Sequence, residues 1–317
     1  MATAIIRKPA VTLEPDPEAI NLVIPCGIGD ASWVYSKVKH FPSIFGRPVV
    51  IAMPGAEPQR GHQLIERLPN VRWGGYEKSW QHDQIFRNAI PGYAPKEAFT
   101  PGVWHSIECN RWLEWGKPLE KWFPWCPTDY HYDIRIEPEE TVAAGMLLAS
   151  LPGPVWSIYV SNRDKENYPG WTIWTAEEWE WILSRLPGSF VFLGAEYDRD
   201  KTEDVQQRMQ QLGRKTALCL GQSLGVALAC LKSSDRFLAY PSGIGILANV
   251  LRTPGVMLLS KPLPGLEQSF GDPEDLESGR YRAWVCPTKE EALTHLKNMD
   301  PKSDPDWWKE LALKCGM

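Results

Sequence analysis

NLVIPCGIGD, residues 21–30, joins a short apolar run to a turn that contains two glycines. The following segment, residues 31–40, carries Val34 and Val38 at the spacing of one helical face. The apolar run has the length of a buried strand, and proline and glycine mark the turn behind it. This part of the chain therefore predicts a strand, a tight turn and a helix in succession.

The same alternation continues on both sides of a long interruption. Further strands are predicted at 48–52, 71–73, 155–160, 190–193, 236–240 and 255–259, and helices at 57–68, 175–186, 223–231 and 242–251. Thr175 and Glu178 have the spacing of a capping box at the start of one of these helices. Because alternating strands and helices form parallel sheets, the fold class is α/β, with two Rossmann-like domains and a central cleft.

Two stretches without this alternation set the predicted domain boundaries. Residues 81–133 are polar, aromatic and interrupted by prolines, with a predicted helical region around Trp112. Residues 137–154 contain an apolar helical stretch and close with Pro-Gly-Pro, which suits an interdomain connection. We predict a first domain at 1–136, a linker at 137–154, a second domain at 155–288 and a helical tail at 289–317.

Composition narrows the class of protein. The 317 residues are 43% hydrophobic and 23% charged, and no apolar run reaches the roughly 18 residues that a membrane span needs. The first residues lack the apolar core of a secretory signal, and the seven cysteines include no CxxC pair or zinc spacing. These features favour a cytoplasmic protein with reduced thiols and no metal. A net charge of -5 gives no general attraction to nucleic acid.

Tryptophan is unusually frequent, with sixteen in the chain. A group of them lies within one aromatic region: Trp104, Trp112, Trp115, Trp122 and Trp125. Such side chains either pack in the core and at its edges or form a platform on which sugar rings or bases stack. The sequence favours packing and leaves the platform open.

The turn Gly27-Ile28-Gly29-Asp30 lies where a strand gives way to a helix, so backbone N–H groups and the positive helix end could face an anion. A dinucleotide fingerprint would require a third glycine where Ser32 stands and an acid near Met53. Both are missing, which argues against NAD. Asp30 is either a helix-capping carboxylate or a functional acid in the cleft.

Two turns in the second half have comparable positions. Ser242-Gly243-Ile244 opens a helix after a strand, as a second anion site or as a plain βα turn. Gly194-Ala195 also follows a strand, and Asp198 just beyond could accept bonds from ribose hydroxyls or remain a solvated loop carboxylate. Asp198 and Asp200 further spell D-x-D, a pattern that can hold a divalent metal on a diphosphate.

Taken in order, these pieces resemble the heptosyltransferase-like glycosyltransferases of lipopolysaccharide synthesis, glycosyltransferase family nine, whose two-Rossmann architecture is called GT-B. The resemblance covers roughly residues 20 to 260 and is carried by the turn at 27–30, Ile158 to Asn162, the tryptophan-rich helix, Phe192 to Ala195, and Ser242-Gly243. This chain departs from the family pattern at Pro241, Gly245 and Ile246.

The resemblance implies roles for individual residues. Asp30 would be the general base of an acceptor-binding first domain, and Asp198 would contact the donor ribose. The lysine expected before the tryptophan motif is not clearly placed, and Arg163 or Lys165 would take its role. The full set implied for the nucleotide-sugar donor is Gly27, Gly29, Ser161, Asn162, Arg163, Lys165, Gly194, Ala195, Asp198, Ser242, Gly243 and Ile244.

The implied function is inverting, metal-independent transfer of a sugar from a nucleotide-sugar donor to a hydroxyl acceptor, with a saccharide as the family default. Three alternatives remain open at this point: transfer to hydroxylated bases of viral DNA, a GT-B sugar-nucleotide epimerase or hydrolase, and a non-catalytic nucleotide-sugar-binding protein.

Overall fold

The computed structural model describes residues 13–55, 60–77, 80, 89–107, 118–161, 174–259, 271–278 and 280–285. The first half contains β1 Ile20–Val23, α1 Ile28–Val38, α2 Phe41–Phe45, β2 Val49–Pro54, α3 Arg60–Ile65, β3 Arg72–Glu77 and β4 Trp104–Ser106. Helix α4, Pro138–Leu148, then leads into the second half. The second half contains β5 Val155–Tyr159, α5 Ala176–Leu183, β6 Ser189–Gly194, α6 Arg199–Gln211, β7 Thr216–Leu220, α7 Leu224–Ser233, β8 Arg236–Ala239, α8 Gly243–Val250, β9 Gly255–Leu259, α9 Pro273–Ser278 and β10 Tyr281–Val285.

Each half is built on a parallel sheet. The first sheet has the order β3-β2-β1-β4, and the second has the order β10-β9-β8-β5-β6-β7. Renumbered within its own half, the second sheet runs 6-5-4-1-2-3, which is the strand order of the Rossmann fold. The predicted α/β class with two Rossmann-like domains is confirmed.

Several elements were not predicted, and each has a physical reason. Helix α6 is almost entirely polar, and only Thr202, Val205, Gln206 and Met209 are buried, along one face at spacings of three and four residues. Strand β7 is short and partly exposed, and β4 is a three-residue strand inside the aromatic region. Their weak apolar patterns explain why sequence periodicity missed them. The predicted helices around Trp112 and in the tail at 289–317 lie outside the described residues.

The tryptophans of the aromatic region that the structure describes belong mainly to packing. Trp122 is fully buried and stacks on Phe123, with ring centroids 4.4 Å apart. Trp125 packs against Phe41 at 5.5 Å and donates its indole N–H to the carbonyl of Ala94. For these two tryptophans the packing interpretation is confirmed.

A single apolar core joins the two halves. It includes Val34 of α1, Ala144 of α4, Leu228 of α7 and Leu247 of α8. Helix α1 packs on α8, and α4 packs on α7. The halves are therefore held by side-chain packing as well as by the connecting chain.

A partly buried ionic cluster around Glu140 reinforces this junction. Glu140 of α4 accepts two hydrogen bonds from Arg67, both at 2.7 Å, and a third at 2.7 Å from the hydroxyl of Ser223. Ser223 in turn accepts a bond from the backbone N–H of Val226 at the start of α7. Nearby, the side chain of Gln63 accepts the N–H of Leu224 at 3.0 Å. Glu140 thus connects the first half, the linker helix and the second half.

The Glu140 carboxylate is charged in this setting. Burial alone would raise its pKa, but the hydrogen bonds from Arg67, Ser223 and the backbone of Glu137 outweigh burial and lower the pKa from 4.5 to about 2. A carboxylate with a lowered pKa stabilises the fold above its unfolded value, and this contribution disappears as the pH falls toward the folded value.

We expect Glu140→Gln to lower the free energy of unfolding at pH 7 by on the order of 3 kcal/mol. The difference from the wild type should be constant above about pH 5 and shrink steadily as the pH falls from 4.5 toward 2. Urea denaturation across this range measures it. Glu139→Gln, on the exposed side of the same helix, is the matched control and should change stability little. A difference that does not depend on pH would contradict the assigned ionic role.

Gly243 has no room for a side chain, because a Cβ there would lie 2.6 Å from the Cβ of Ile28 and 2.8 Å from the backbone nitrogen of Gly29. Gly243→Ala should therefore force the halves apart locally and lower the free energy of unfolding by about 1–3 kcal/mol. Gly145 of α4 has no atom within 4 Å of such a Cβ, so Gly145→Ala should instead raise stability by about 0.5–1 kcal/mol. Equal effects of the two substitutions would show that the contact at Gly243 is not restrictive.

Candidate functional site

The strand order of each sheet indicates where a ligand would bind. In open parallel sheets, ligands bind beyond the carboxyl ends of the strands, where the strand order reverses. The reversal lies between β1 and β4 in the first half and between β5 and β8 in the second. Residues 24–30 follow β1, and residues 240–243 follow β8. The two predicted glycine turns are therefore the segments at these reversal points.

The structure brings the two turns into direct contact. A Cβ on Gly29 would lie 2.9 Å from Cδ1 of Ile246 and 3.6 Å from Cα of Gly243, which matches the close approach of Gly243 to Gly29 described above. These residues occupy the first turns of α1 and α8. The positive ends of two helix dipoles thus meet at one place, which is unfavourable unless negative charge lies there.

The turn before α8 is a well-formed helix start. Ser242 is the N-cap, and its hydroxyl accepts the N–H of Gly245 at 3.2 Å. Ile244 is buried, so only its backbone could serve a ligand. The amides of Gly243 and Ile244 are the first of the helix and have no acceptor within an α-helix. They are suited to bind an anion.

Asp30 lies in the first turn of α1, one residue beyond the contact with the second half. Its Oδ2 folds back over Gly27, where a Cβ would approach it to 2.4 Å. The N-cap of α1 is Gly27, which has no side chain that could accept a hydrogen bond from the helix. The carboxylate therefore lies beside the converging helix ends and is compatible with both predicted roles, helix stabilisation and chemistry in the cleft.

Cys26, which belongs to no motif found in the sequence, lies near this carboxylate. Its thiol donates to the carbonyl of Pro54 at 3.0 Å. Burial, and then the charge of Asp30, raise its pKa to about 11. The thiol is therefore protonated near neutral pH and is a poor nucleophile.

Asp198 lies inside the turn that follows β6. It is 2% exposed, and its Oδ2 accepts the N–H of Ala195 at 2.8 Å and the hydroxyl of Tyr159 at 3.4 Å. Its Oδ1 is buried with no hydrogen-bond partner among the described residues. A ribose could not reach this carboxylate without movement of the turn. The acid on the surface of the turn is Glu196, which pairs with Arg199 at 2.6 Å.

The other predicted donor residues divide into two groups. Gly194 ends β6, where a Cβ would lie 2.7 Å from Leu220, and Ser161 is half-buried just beyond β5. Both lie at the expected sheet edge. Asn162, Arg163 and Lys165 fall outside the described residues. Within the residues that are described, no group of three His, Cys, Asp or Glu side chains has metal-binding geometry.

Sequence reasoning did not identify Glu196, Tyr159 and Tyr240 as parts of this region. Glu196 could have been found, because it directly follows the Gly-Ala turn at the strand end. The two tyrosines read as ordinary strand residues, and only the three-dimensional fold shows their contacts.

A groove of about 500 Å³ lies at the amino ends of the strands of the second sheet. It is lined by residues 152–154, 187–189 and 213–215, which precede β5, β6 and β7. These are the amino ends of the strands, away from the reversal point. The groove is therefore separate from the candidate site.

No protein-family model matches the sequence, and no curated protein matches it. The architecture nevertheless defines the class of fold: two Rossmann-like domains in the GT-B arrangement of glycosyltransferases. No helix in the described part of the chain is long and apolar enough to span a membrane.

Three solved structures illustrate the likeness. The glycosyl transferase family 9 protein from Veillonella parvula DSM 2008 is 14% identical, with a TM-score of 0.59, over 96% of this chain and 99% of that one. E. coli ADP-heptose lps heptosyltransferase II is 12% identical, with a TM-score of 0.57, over 88% and 97%. The S. aureus MnaA–UDP structure is 10% identical, with a TM-score of 0.51, over 93% and 90%. The predicted heptosyltransferase-like fold is thus confirmed.

Proposed function

We propose that this protein is a glycosyltransferase that moves a sugar from a nucleotide-sugar donor to a hydroxyl acceptor, with inversion and without a metal. The observation that carries the proposal is the contact between the turn bearing Asp30 and the Ser242-Gly243 turn at the two strand-order reversals. A diphosphate at the meeting helix ends would neutralise their combined positive dipoles. Asp30 would then lie beside the sugar attached to that diphosphate.

The donor is assigned to the second half. Amides of Gly243 and Ile244 would bind the diphosphate, with Arg163 or Lys165 as the accompanying cation. Glu196, the exposed acid after β6, is the better placed candidate for the ribose hydroxyls, because Asp198 is buried in its turn. The carboxylate that we assign to the ribose is therefore that of Glu196 instead of Asp198, and it lies in the same turn after β6.

The acceptor is assigned to the first half, with Asp30 as general base. Its carboxylate accepts the proton of the acceptor hydroxyl as that oxygen attacks the anomeric carbon. The bond between that carbon and the diphosphate oxygen breaks, and its electron pair leaves with the nucleoside diphosphate. Helix amides and the cation stabilise the charge that develops on the leaving group. The resemblance to saccharide-modifying enzymes favours a saccharide acceptor, and the cysteine usage favours the cytoplasm.

Nucleoside diphosphates should protect the amides of the second half from hydrogen exchange, most strongly at residues 242–246 and 194–198. The comparison is made with and without UDP, ADP and GDP, and inorganic phosphate serves as the control for a simple anion effect. Protection confined to the first half, or absent with all three nucleotides, would contradict the donor assignment.

Asp30→Asn should keep the fold and the nucleotide affinity but lower turnover by about 10²- to 10⁴-fold, the range typical for loss of a general base. If Asp30 only stabilises the helix start, asparagine is nearly as good a cap, and activity should stay near the wild-type level. Melting temperature, nucleotide affinity and single-turnover rate are measured in excess EDTA with a panel of nucleotide-sugars and saccharides.

Asp200→Asn is the matched control, because Asp200 is exposed in the first turn of α6. It should remain fully active. Loss of activity in EDTA, restored by Mg²⁺ or Mn²⁺ and abolished by Asp200→Asn, would instead support the D-x-D metal hypothesis. Nucleotide release without acceptor would favour an epimerase or hydrolase, and binding without turnover would favour a non-catalytic binding protein.

A further inference from the structure

We propose that Tyr159 and Tyr240 position the donor-binding loops, and that Asp198 acts through Tyr159 instead of touching the ribose. The inference rests on the proposed function, since it concerns the same donor site. It assigns nucleotide affinity to two buried hydroxyl groups that lie beneath the loops.

The two tyrosines meet at the reversal of strand order in the second sheet. Tyr159 ends β5, Tyr240 follows β8, and the N–H of Tyr240 donates to the carbonyl of Tyr159 at 3.2 Å. Both side chains are nearly buried, at 7% and 3% exposure. They belong to different apolar clusters: Tyr159 to the one shared with the first half, and Tyr240 packs in the one around α5. At the reversal of strand order, side chains from both faces of the sheet therefore contact the loops that follow its strands.

On the first face, Tyr159 reaches the turn after β6. Its hydroxyl donates to Oδ2 of Asp198, and the same oxygen accepts the N–H of Ala195. The carbonyl of Asp198 also accepts the hydroxyl of Thr202 at 2.7 Å in the first turn of α6. Asp198 thus connects the end of β5 to the Gly-Ala turn and to the helix behind it. The position of Glu196 on the surface of that turn follows from these buried bonds.

On the second face, Tyr240 reaches the segment that enters α5. Its hydroxyl accepts the N–H of Trp174, and its ring packs against Trp174 at 5.6 Å and Trp179 at 5.1 Å. Lys201 donates to the carbonyl of Trp174 at 2.7 Å and lies 5.6 Å from the centre of the Tyr240 ring. Because Tyr240 is two residues before Ser242, these contacts set where the N-cap of α8 lies.

The arrangement explains two sequence features together. The tryptophan-rich helix start packs directly on the residue that precedes the Ser-Gly turn, and the buried acid holds the Gly-Ala turn. A loop that is fixed before binding loses less conformational entropy when the ligand arrives. Removal of either hydroxyl should therefore weaken nucleotide binding without removing any direct contact.

The test compares Tyr159→Phe, Asp198→Ala and the double variant in titrations with UDP, ADP, GDP and inorganic pyrophosphate. If Tyr159 and Asp198 position the turn that carries Glu196, Tyr159→Phe should weaken the nucleotide that binds by about 3- to 10-fold, the range for loss of one hydrogen bond. Asp198→Ala should weaken it at least as much, because it also removes the acceptor of the Ala195 N–H. Tyr159→Phe should add little to Asp198→Ala, because both substitutions break the same connection. Pyrophosphate affinity should stay unchanged, because the diphosphate is assigned to the amides of Gly243 and Ile244.

A direct ribose contact of Asp198 gives a different pattern. Asp198→Ala would then weaken the nucleotide, Tyr159→Phe would have no effect, and the inference would be overturned. Tyr240→Phe should lower the affinity for both the nucleotide and pyrophosphate, because Tyr240 positions the Ser242 turn. Unchanged affinity for both ligands would overturn the proposed role of Tyr240.

Tyr35→Phe provides the matched control in the first half. The hydroxyl of Tyr35 donates to the carbonyl of Pro69 at 2.7 Å, so this variant also loses a buried tyrosine bond. It should lower stability but leave nucleotide affinity unchanged. If the wild type binds no nucleotide at all, the proposed function fails; if it binds and all three tyrosine variants bind equally well, only this inference fails.

Discussion

The direct contact between the first turns of α1 and α8 is the constraint on which the site depends. Gly243 has no room for a side chain, because a Cβ there would overlap Ile28 and the backbone of Gly29, and a Cβ on Gly29 would lie 2.9 Å from the end of the Ile246 side chain. This approach fixes where the first half meets the second, and Asp30 is the next residue of α1 after Gly29. It also brings two positive helix ends together, so an anionic ligand at this point would interact favourably with both dipoles. The close contact of the two helix starts and their dipoles thus both favour an anionic ligand at this point.

Other contacts between the two halves, away from Gly29 and Gly243, stabilise the same junction. Glu140 is buried, yet its carboxylate is satisfied by Arg67, by Ser223 and by a backbone N–H. An ion pair with such complete hydrogen bonding offsets much of its desolvation, whereas removal of one partner leaves a buried charge. The linker helix is therefore part of the interface and not only a connection. Gln63, which caps α7 from α3, adds a second polar contact across the same junction.

The sequence predicted the repeated strand-turn-helix units because their apolar patterns are local. The stretch at residues 21–30, the capping box at Thr175 and the turn at Ser242 all appear where they were expected. What it could not predict depends on residues far apart in the chain. Gly243 is read from sequence as a turn or an anion site, but its lack of a side chain is explained by Ile28 and Gly29 in the other half. Similarly, Asp198 has the spacing of a ribose ligand, and only the fold shows that it turns inward to Ala195 and Tyr159.

In the proposed complex a nucleoside diphosphate lies between the first turns of α1 and α8, with Asp30 beside it. A crystal structure of this 317-residue chain with a nucleoside diphosphate would show whether it does. We expect phosphate oxygens within hydrogen-bond distance of the amides of Gly243 and Ile244, on the side of α8 that faces Asp30. A nucleotide bound instead in the groove at residues 213–215, or against the first sheet alone, would contradict it.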